Sequence, residues 1–181
     1  RMLNIVSTGP SSIKGVKTTM GTVAHAVIES LFAPRDGKSC SGVEEIEQRI
    51  NNEFEEQVRK QIESCGAILY LPENRLDAAL LKEQLRRCLG ILLEIIRDNH
   101  LTVTGCEQMV KKDMGLLKND KDWDMVGYID MTLEDANHHP VVFDFKWTSS
   151  KSYYRDLLTA NRSIQLELYR TMLSAEKRDS V

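Results

Sequence analysis

The stretch that decides the fold is residues 127–146, which read GYIDMTLEDANHHPVVFDFK. Two runs rich in β-branched, aromatic and other apolar residues flank a turn containing Asp, Asn and Pro, and this pattern predicts two strands joined by a turn. Asp130 lies in the first strand and Asp144 in the second, with thirteen residues between them. Asp144 and Lys146 are two residues apart, so they share one face of their strand. A favourable register would place Asp130 beside them.

Two carboxylates and a lysine at one edge of a sheet form a set that suits phosphate chemistry. Hard divalent cations such as Mg²⁺ prefer oxygen ligands, and they promote phosphodiester cleavage by activating water and neutralising charge on the phosphate. A nearby lysine can orient the water or stabilise the developing charge. Asp130, Asp144 and Lys146 therefore form a candidate metal-dependent hydrolytic site, and His25 is a candidate further ligand because imidazole suits Mn²⁺.

Three amphipathic stretches precede the strands. Residues 19–32 have an apolar face at helical spacing, and His25 and Glu29 lie together on the polar side of that helix. Residues 43–64 form a charged helix with a narrow apolar stripe, and residues 73–100 form a helix with a broad apolar face that includes Cys88. The region 43–100 is interpreted as a helical subregion between the first helix and the sheet.

The period of the pattern changes after residue 100. Three strands are predicted over residues 101–114, 123–133 and 141–147, and the first of them carries Glu107. A last helix is predicted over residues 163–177, where Gln165 and Tyr169 are neighbours at i,i+4. The predicted fold class is mixed α/β.

Composition indicates an ordinary globular domain. The chain has 181 residues, of which 41% are hydrophobic and 28% charged, and it contains neither a membrane-span pattern nor a signal peptide. Its four cysteines form no CxxC pair, which favours reduced thiols and a cytoplasmic location. The expectation is a single domain over residues 1–181 that is excised from a longer protein.

Charge distribution gives weak support for a phosphate-bearing partner. The net charge is −3, but residues 145–181 contain seven basic and four acidic side chains. This basic segment could meet nucleic acid, and it could equally be solvated surface.

Five motifs in order resemble the PD-(D/E)XK nuclease superfamily, in its RecB-type exonuclease branch (AddB-like and CRISPR-associated RecB-like nuclease domains). They span residues 21–169, and the Asp-x-Lys tripeptide alone would be weak. The motifs are GTVAH at 21–25 with Glu29, Glu107, GYID at 127–130, DFK at 144–146 and QLELY at 165–169.

The resemblance implies a role for each residue. The metal ligands would be His25, Asp130, Asp144 and the backbone carbonyl of Phe145, and the ion would be Mg²⁺ or Mn²⁺. Lys146 would position the attacking water, so the catalytic group would be Asp130, Asp144 and Lys146. The residues implied as supporting the site or contacting DNA are Glu107, Gln165 and Tyr169.

The resemblance also implies a fold, partners and a location. The fold would be a restriction-endonuclease-like core, with a central mixed sheet of about four strands flanked by helices. The substrate would be single-stranded DNA or duplex ends in repair, recombination, or phage- or CRISPR-related processing, with a helicase domain or subunit as partner and no membrane. The location would be cytoplasmic and nucleoid-associated, or nuclear or mitochondrial in a eukaryote. Some members hold an iron–sulfur cluster through one upstream and three downstream cysteines, and this chain has none before Cys40 or after Cys106.

Two other readings remain open at the level of sequence. The domain could be a catalytically silent DNA-binding or scaffold domain of a helicase–nuclease complex, although intact Asp130, Asp144 and Lys146 count against this. It could also be a restriction-type endonuclease, which shares the strand pair but not the motifs around His25 and Gln165.

Overall fold

Three helices precede a three-stranded sheet. The computed structural model describes residues 15–113 and 124–148 together with residues 152, 155, 156 and 159. The helices are α1 (Val16–Phe32), α2 (Val43–Cys65) and α3 (Arg75–Asp98), and short 3₁₀ turns at Ala67–Tyr70 and Pro72–Asn74 join α2 to α3. The strands are β1 (Thr102–Asp113), β2 (Asp124–Glu134) and β3 (Pro140–Phe143).

The sheet is an antiparallel meander in the order β1-β2-β3. Val103 pairs with Leu133 at one end of the β1–β2 ladder, and Met131 pairs with Phe143 between β2 and β3. The mixed α/β class is thereby confirmed, with three strands in the described part of the expected sheet. The predicted helix over 163–177, with Gln165 and Tyr169, lies outside the described residues.

One hydrophobic core joins the helices to the sheet, and α1 is its centre. Val23, Val27 and Leu31 of α1 are fully buried, and they belong to the same cluster as residues of α2, α3, β1 and β2. On β2 the fully buried side chains alternate at Ile129, Met131 and Leu133. This period-two burial is the reason that Asp130 points to the opposite side of the sheet from the core.

The connection after α1 is held by a buried arginine. The Arg49 guanidinium donates hydrogen bonds to the carbonyl oxygens of Leu31 (3.2 Å) and Ala33 (2.8 Å) and also pairs with Glu45. These contacts satisfy carbonyl groups that the end of a helix leaves without intrahelical partners. A further bridge, from the Ser41 N–H to the Val103 oxygen (2.8 Å), ties the loop to the start of β1.

The broad apolar face predicted for the third helix is narrower in the structure. Its buried residues are Leu81, Leu85, Leu89, Leu92, Leu93 and Ile96. Leu76, Leu80 and Ile95 are exposed, and so is Cys88, for which a core position was predicted. The prediction for Cys88 is wrong because helical spacing alone does not show how far neighbouring elements cover an apolar face.

The third strand ends earlier than the sequence predicts. The strand prediction for residues 141–147 is wrong beyond Phe143, because residues 144–148 form no regular element. Among the described helices, none is both long and apolar enough to cross a membrane.

A matched pair of substitutions on α3 tests this core. Leu89 is fully buried, whereas Ile91 on the same helix is 48% exposed. We expect Leu89→Ala to lower the free energy of unfolding by about 2–5 kcal/mol, since it removes buried methyl groups and leaves a cavity. Ile91→Ala should cost less than about 1 kcal/mol. Urea denaturation followed by circular dichroism measures both, and equal losses would contradict the described packing of α3.

Candidate metal centre

The polar face of α1 carries His25 to the sheet. The apolar face of the helix is packed in the core, whereas His25 is outside this buried set and its side chain is partly exposed. The His25 Nδ1 atom lies 3.3 Å from Glu107 Oε1 and 3.6 Å from Asp130 Oδ1. Residues from a helix and two strands therefore meet at one point.

Glu107 reaches this point through an irregular part of β1. The pairs Cys106–Met131 and Gln108–Ile129 place Glu107 opposite Asp130. The register shifts between Val103 and Gly105, and Glu107 has a φ of 48°. A positive φ is uncommon for a residue with a side chain and stores strain, and such irregularities recur beside functional sites, where they redirect a side chain.

The three side chains form a candidate ligand set for a cation. One ligand atom each from His25, Glu107 and Asp130 lies within 4.8 Å of the others. Two carboxylates and an imidazole suit Mg²⁺ or Mn²⁺ better than a soft, thiolate-seeking metal. The donor chemistry therefore fits the hard divalent cation that the sequence predicts, with Glu107 as a ligand candidate in addition to its expected supporting role.

The Asp130 carboxylate also organises the end of β3. Its Oδ2 atom accepts a hydrogen bond from the Phe145 backbone N–H at 2.6 Å. Continuation of the β2–β3 register beyond Met131–Phe143 would set Asp130 opposite Asp144. The Asp130 carboxylate thus accepts a hydrogen bond from the backbone just after β3, where the regular β2–β3 ladder has ended.

Asp144 and Lys146 form a close ion pair beside this hydrogen bond. The Lys146 Nζ atom lies 2.8 Å from Asp144 Oδ1, and the Asp144 side chain is 12% exposed. The three-member ligand group of the described residues does not include Asp144. Asp144 and Lys146 therefore lie next to the centre, because they precede and follow Phe145 in the chain. The backbone N–H of Phe145 donates its hydrogen bond to Asp130.

Burial and neighbouring carboxylates raise the pKa values of three groups at or beside the centre: Asp130, Glu29 and Cys106. Burial raises the pKa of Asp130 above its ordinary value, and the Asp144 and Glu107 carboxylates add to the rise, while the Phe145 N–H and His25 oppose it. Burial, followed by repulsion from Glu107, also raises the pKa of Glu29. The pKa of the Cys106 thiol rises to about 12, mainly through burial and then through the neighbouring carboxylates. Excess negative charge in a partly buried site is what a cation would relieve.

A cleft of about 750 Å³ opens over the centre. Its walls are the polar face of α1, the sheet and the segment after β3. The described residues that line it are Lys17, Thr18, Gly21, Thr22, His25, Ala26, Glu29, Glu107, Tyr128, Phe145, Lys146 and Trp147. A cleft of this size is large enough for a small ligand or a few units of a polymer.

Two residues of the first motif line the cleft, although no role in the site was predicted for them from the sequence. Glu29 lines the cleft one turn after His25, and its i,i+4 spacing was the available signal. Gly21 lets α1 approach the segment after β3, because a Cβ atom there would lie 3.3 Å from Trp147 Cβ. A glycine inside a helix is a signal of close packing, but nothing in the sequence identifies the partner.

Fold and site together define a class: an α/β domain whose sheet carries a candidate cation site of two carboxylates and an imidazole, with a lysine nearby. A family model of the PD-(D/E)XK nuclease superfamily matches residues 3–180. The chain therefore belongs to the PD-(D/E)XK nuclease superfamily, which confirms the resemblance at that level and indicates a nuclease. Comparison with curated proteins and with solved structures finds no match.

The raised pKa of Asp130 predicts the sign of a pH effect. The folded protein holds a proton on this carboxyl more tightly than the unfolded chain does, so ionisation of Asp130 costs stability as pH rises. Asp130→Asn removes this cost and keeps an oxygen for the Phe145 N–H. In EDTA at pH 7.5, we expect the variant to unfold at a higher urea concentration than the parent, with the difference shrinking toward pH 4.

Asp36→Asn is the control, since Asp36 is exposed in the loop after α1. Because Asp36 is not part of the acidic centre, this substitution should not produce the stabilisation at pH 7.5 that is expected of Asp130→Asn. If the metal-free Asp130→Asn protein is less stable than the parent at pH 7.5, the prediction is contradicted. The Phe145 N–H and His25 would then stabilise the charged Asp130 carboxylate by more than its burial costs.

Proposed function

We propose that this protein is a metal-dependent deoxyribonuclease that hydrolyses phosphodiester bonds. The observation that carries the proposal is that one ligand atom each of His25, Glu107 and Asp130 lies within 4.8 Å of the others. His25 and Glu107 also line a cleft, and Lys146 lines the same cleft. The superfamily match over most of the chain supports nuclease chemistry. DNA as the substrate is proposed from the resemblance of the motifs.

Each residue has a distinct part in the proposed reaction. His25, Asp130 and Glu107 would hold a Mg²⁺ or Mn²⁺ ion, and Asp144 and the Phe145 carbonyl are the further ligands that the resemblance implies. Such an ion, when bound, would supply Lewis acidity toward the phosphate and would acidify water. Lys146, held beside Asp144, places positive charge where negative charge develops. The Phe145 N–H holds the Asp130 carboxylate in one orientation.

The finer assignments rest on the RecB-type motifs. We infer an exonuclease that acts on DNA ends in repair, recombination, or phage- or CRISPR-related processing, in a nucleoid-associated, nuclear or mitochondrial setting. Residues 1–181 would form one nuclease domain, in which residues 43–100 are an inserted helical subregion and a helicase domain or subunit supplies the substrate. The described α2 and α3 pack on α1 through the common core, which is compatible with a single unit.

A second candidate is a catalytically silent DNA-binding or scaffold domain. Two contacts favour it: His25 Nδ1 lies 3.3 Å from Glu107 Oε1 and 3.6 Å from Asp130 Oδ1, so the three side chains contact one another without a metal. The intact Asp144–Lys146 pair favours the enzyme, because a silent domain has no need of a lysine at the lip of an acidic cleft.

Cleavage assays separate these two functions. With Mg²⁺ or Mn²⁺, we expect the parent to cut single-stranded or double-stranded DNA. Lys146→Ala should lower kcat by roughly 100- to 1000-fold, as is typical when one group that stabilises developing charge is lost. Lys82→Ala is the matched control, since Lys82 pairs with Glu55 on the helical side of the molecule. The enzyme proposal fails if the parent cuts neither DNA, or if Lys146→Ala and Asp144→Ala cut as the parent does.

Metal binding provides an independent test without turnover. By calorimetry we expect Mn²⁺ to bind the parent, and Mn²⁺ at 100 times its Kd should stabilise the fold by about 2.7 kcal/mol. Since loss of even an indirect metal partner typically costs roughly 10- to 100-fold in affinity, His25→Gln should weaken binding at least about tenfold. His138→Gln is the control, because His138 is in an exposed turn and pairs with Glu134. Absence of Mn²⁺ binding to the parent would favour the scaffold.

A further inference from the structure

An exposed apolar pair lies beside the acidic centre. Tyr128 is 57% exposed and Met109 is 53% exposed. They face each other across the β1–β2 ladder, and the Tyr128 hydroxyl lies 3.7 Å from the Met109 sulfur. Side chains with this exposure contribute little to the core, so core packing does not explain a large aromatic residue at this position.

The position of Tyr128 relative to the centre is set by the strand. Tyr128 and Asp130 are two residues apart on β2 and share a face, which separates their Cα atoms by about 7 Å. Tyr128 also lines the cleft that contains His25, Glu107 and Lys146. The separation of adjacent phosphates along a nucleic-acid strand is similar to this distance, so a base next to a phosphate at the centre can reach the Tyr128 ring.

An exposed aromatic ring can distinguish single-stranded DNA from duplex DNA. Every base has a π-face that can stack on an aromatic side chain, and this stacking tolerates any sequence. In a duplex the bases are already stacked and paired, and the sugar–phosphate backbone faces outward. The methionine sulfur beside the ring adds a polarisable surface. The combination suits an unpaired base and offers little to paired DNA.

We propose that Tyr128, flanked by Met109, stacks on the base next to the phosphate bound at the acidic centre, so that the substrate is a single strand or an unpaired end. This inference rests on the proposed nuclease function. An apolar protein partner is the competing occupant of the same pair. Nucleic acid is favoured because Lys17 and Lys146 line the same cleft, where their positive charges can contact phosphate groups.

The first test is equilibrium binding of a short fluorescent thymidine oligonucleotide, measured by anisotropy with the 181-residue protein. EDTA, or Ca²⁺ in place of Mg²⁺, removes turnover from the measurement. Loss of one base–aromatic stack predicts that Tyr128→Ala binds roughly 5- to 150-fold more weakly than the parent, whereas Tyr128→Phe, which keeps the ring, binds as the parent does. Tyr70→Ala is the matched control, because Tyr70 is 55% exposed at the helical side and should leave binding unchanged.

A single abasic nucleotide, moved along the oligonucleotide, locates the stack. At one position it should weaken binding to the parent as much as Tyr128→Ala does, and it should cause no further loss in that variant. A blunt hairpin duplex should bind the parent and Tyr128→Ala equally. The proposal is overturned if Tyr128→Ala binds the thymidine strand as the parent does, which would assign the pair to a protein contact, or if it loses single strand and duplex alike.

Tyr128→Trp keeps the test decisive if the alanine variant misfolds. A bound thymidine strand should quench the tryptophan fluorescence of this variant more than that of the parent in the same titration. Equal quenching of the two proteins would overturn the proposal. Cleavage is scored separately. If Tyr128 stacks on a base but the protein shows no Mn²⁺-dependent cleavage, the nuclease function is rejected and the Tyr128 contact is retained. If the protein cleaves DNA and Tyr128→Ala binds and cleaves as the parent does, the nuclease function is retained and the Tyr128 contact is rejected.

Discussion

The packing of α1 against the sheet is the constraint on which the centre depends. Val23, Val27 and Leu31 of this helix are fully buried, and burial of each such side chain is worth about 1.5–3 kcal/mol. A rotation of one residue would turn the helix by about 100° and take His25 away from the carboxylates. The packing of the hydrophobic core therefore fixes the orientation of the His25 imidazole. Gly21 allows the same helix to lie close to Trp147 on the other side of the cleft.

The centre holds more negative charge than its own residues neutralise. Glu107 adopts a positive φ to point its carboxylate at His25, and the pKa of Asp130 is raised by burial and by neighbouring carboxylates. Such features cost stability, and proteins retain them where function needs a preorganised charge. Binding of a cation would offset this cost, and it would thereby link the stability of the fold to the proposed chemistry.

The proposed function and the proposed base contact assign two neighbouring groups of residues to different parts of a nucleotide. The phosphate would lie at His25, Glu107 and Asp130, and Tyr128, two residues before Asp130 on the same strand, would offer an exposed aromatic ring to a base. The period of the β-strand, and not a dedicated loop, sets their separation. A rigid strand is a precise scaffold for such a pair, because neither residue can move along it independently of the other.

Local periodicity was enough to predict most elements of the fold. The alternation on β2 located Ile129, Met131 and Leu133 in the core and Asp130 outside it, because side-chain direction in a strand follows directly from sequence position. Sequence reasoning was wrong at Cys88 and beyond Phe143, since coverage of a helix face and the end of a ladder depend on elements distant in the chain.

The sequence by itself determined the order of the helices and strands, the buried face of β2 and the identity of the acidic and basic groups. Only the tertiary structure decided that Glu107 joins His25 and Asp130 in one ligand group, and that the Phe145 N–H turns to the Asp130 carboxylate. The physical reason is register. Which residues face each other across β1, β2 and α1 is set by a bulge, a left-handed backbone angle and the packing of one helix, and none of these has a local signature in the chain.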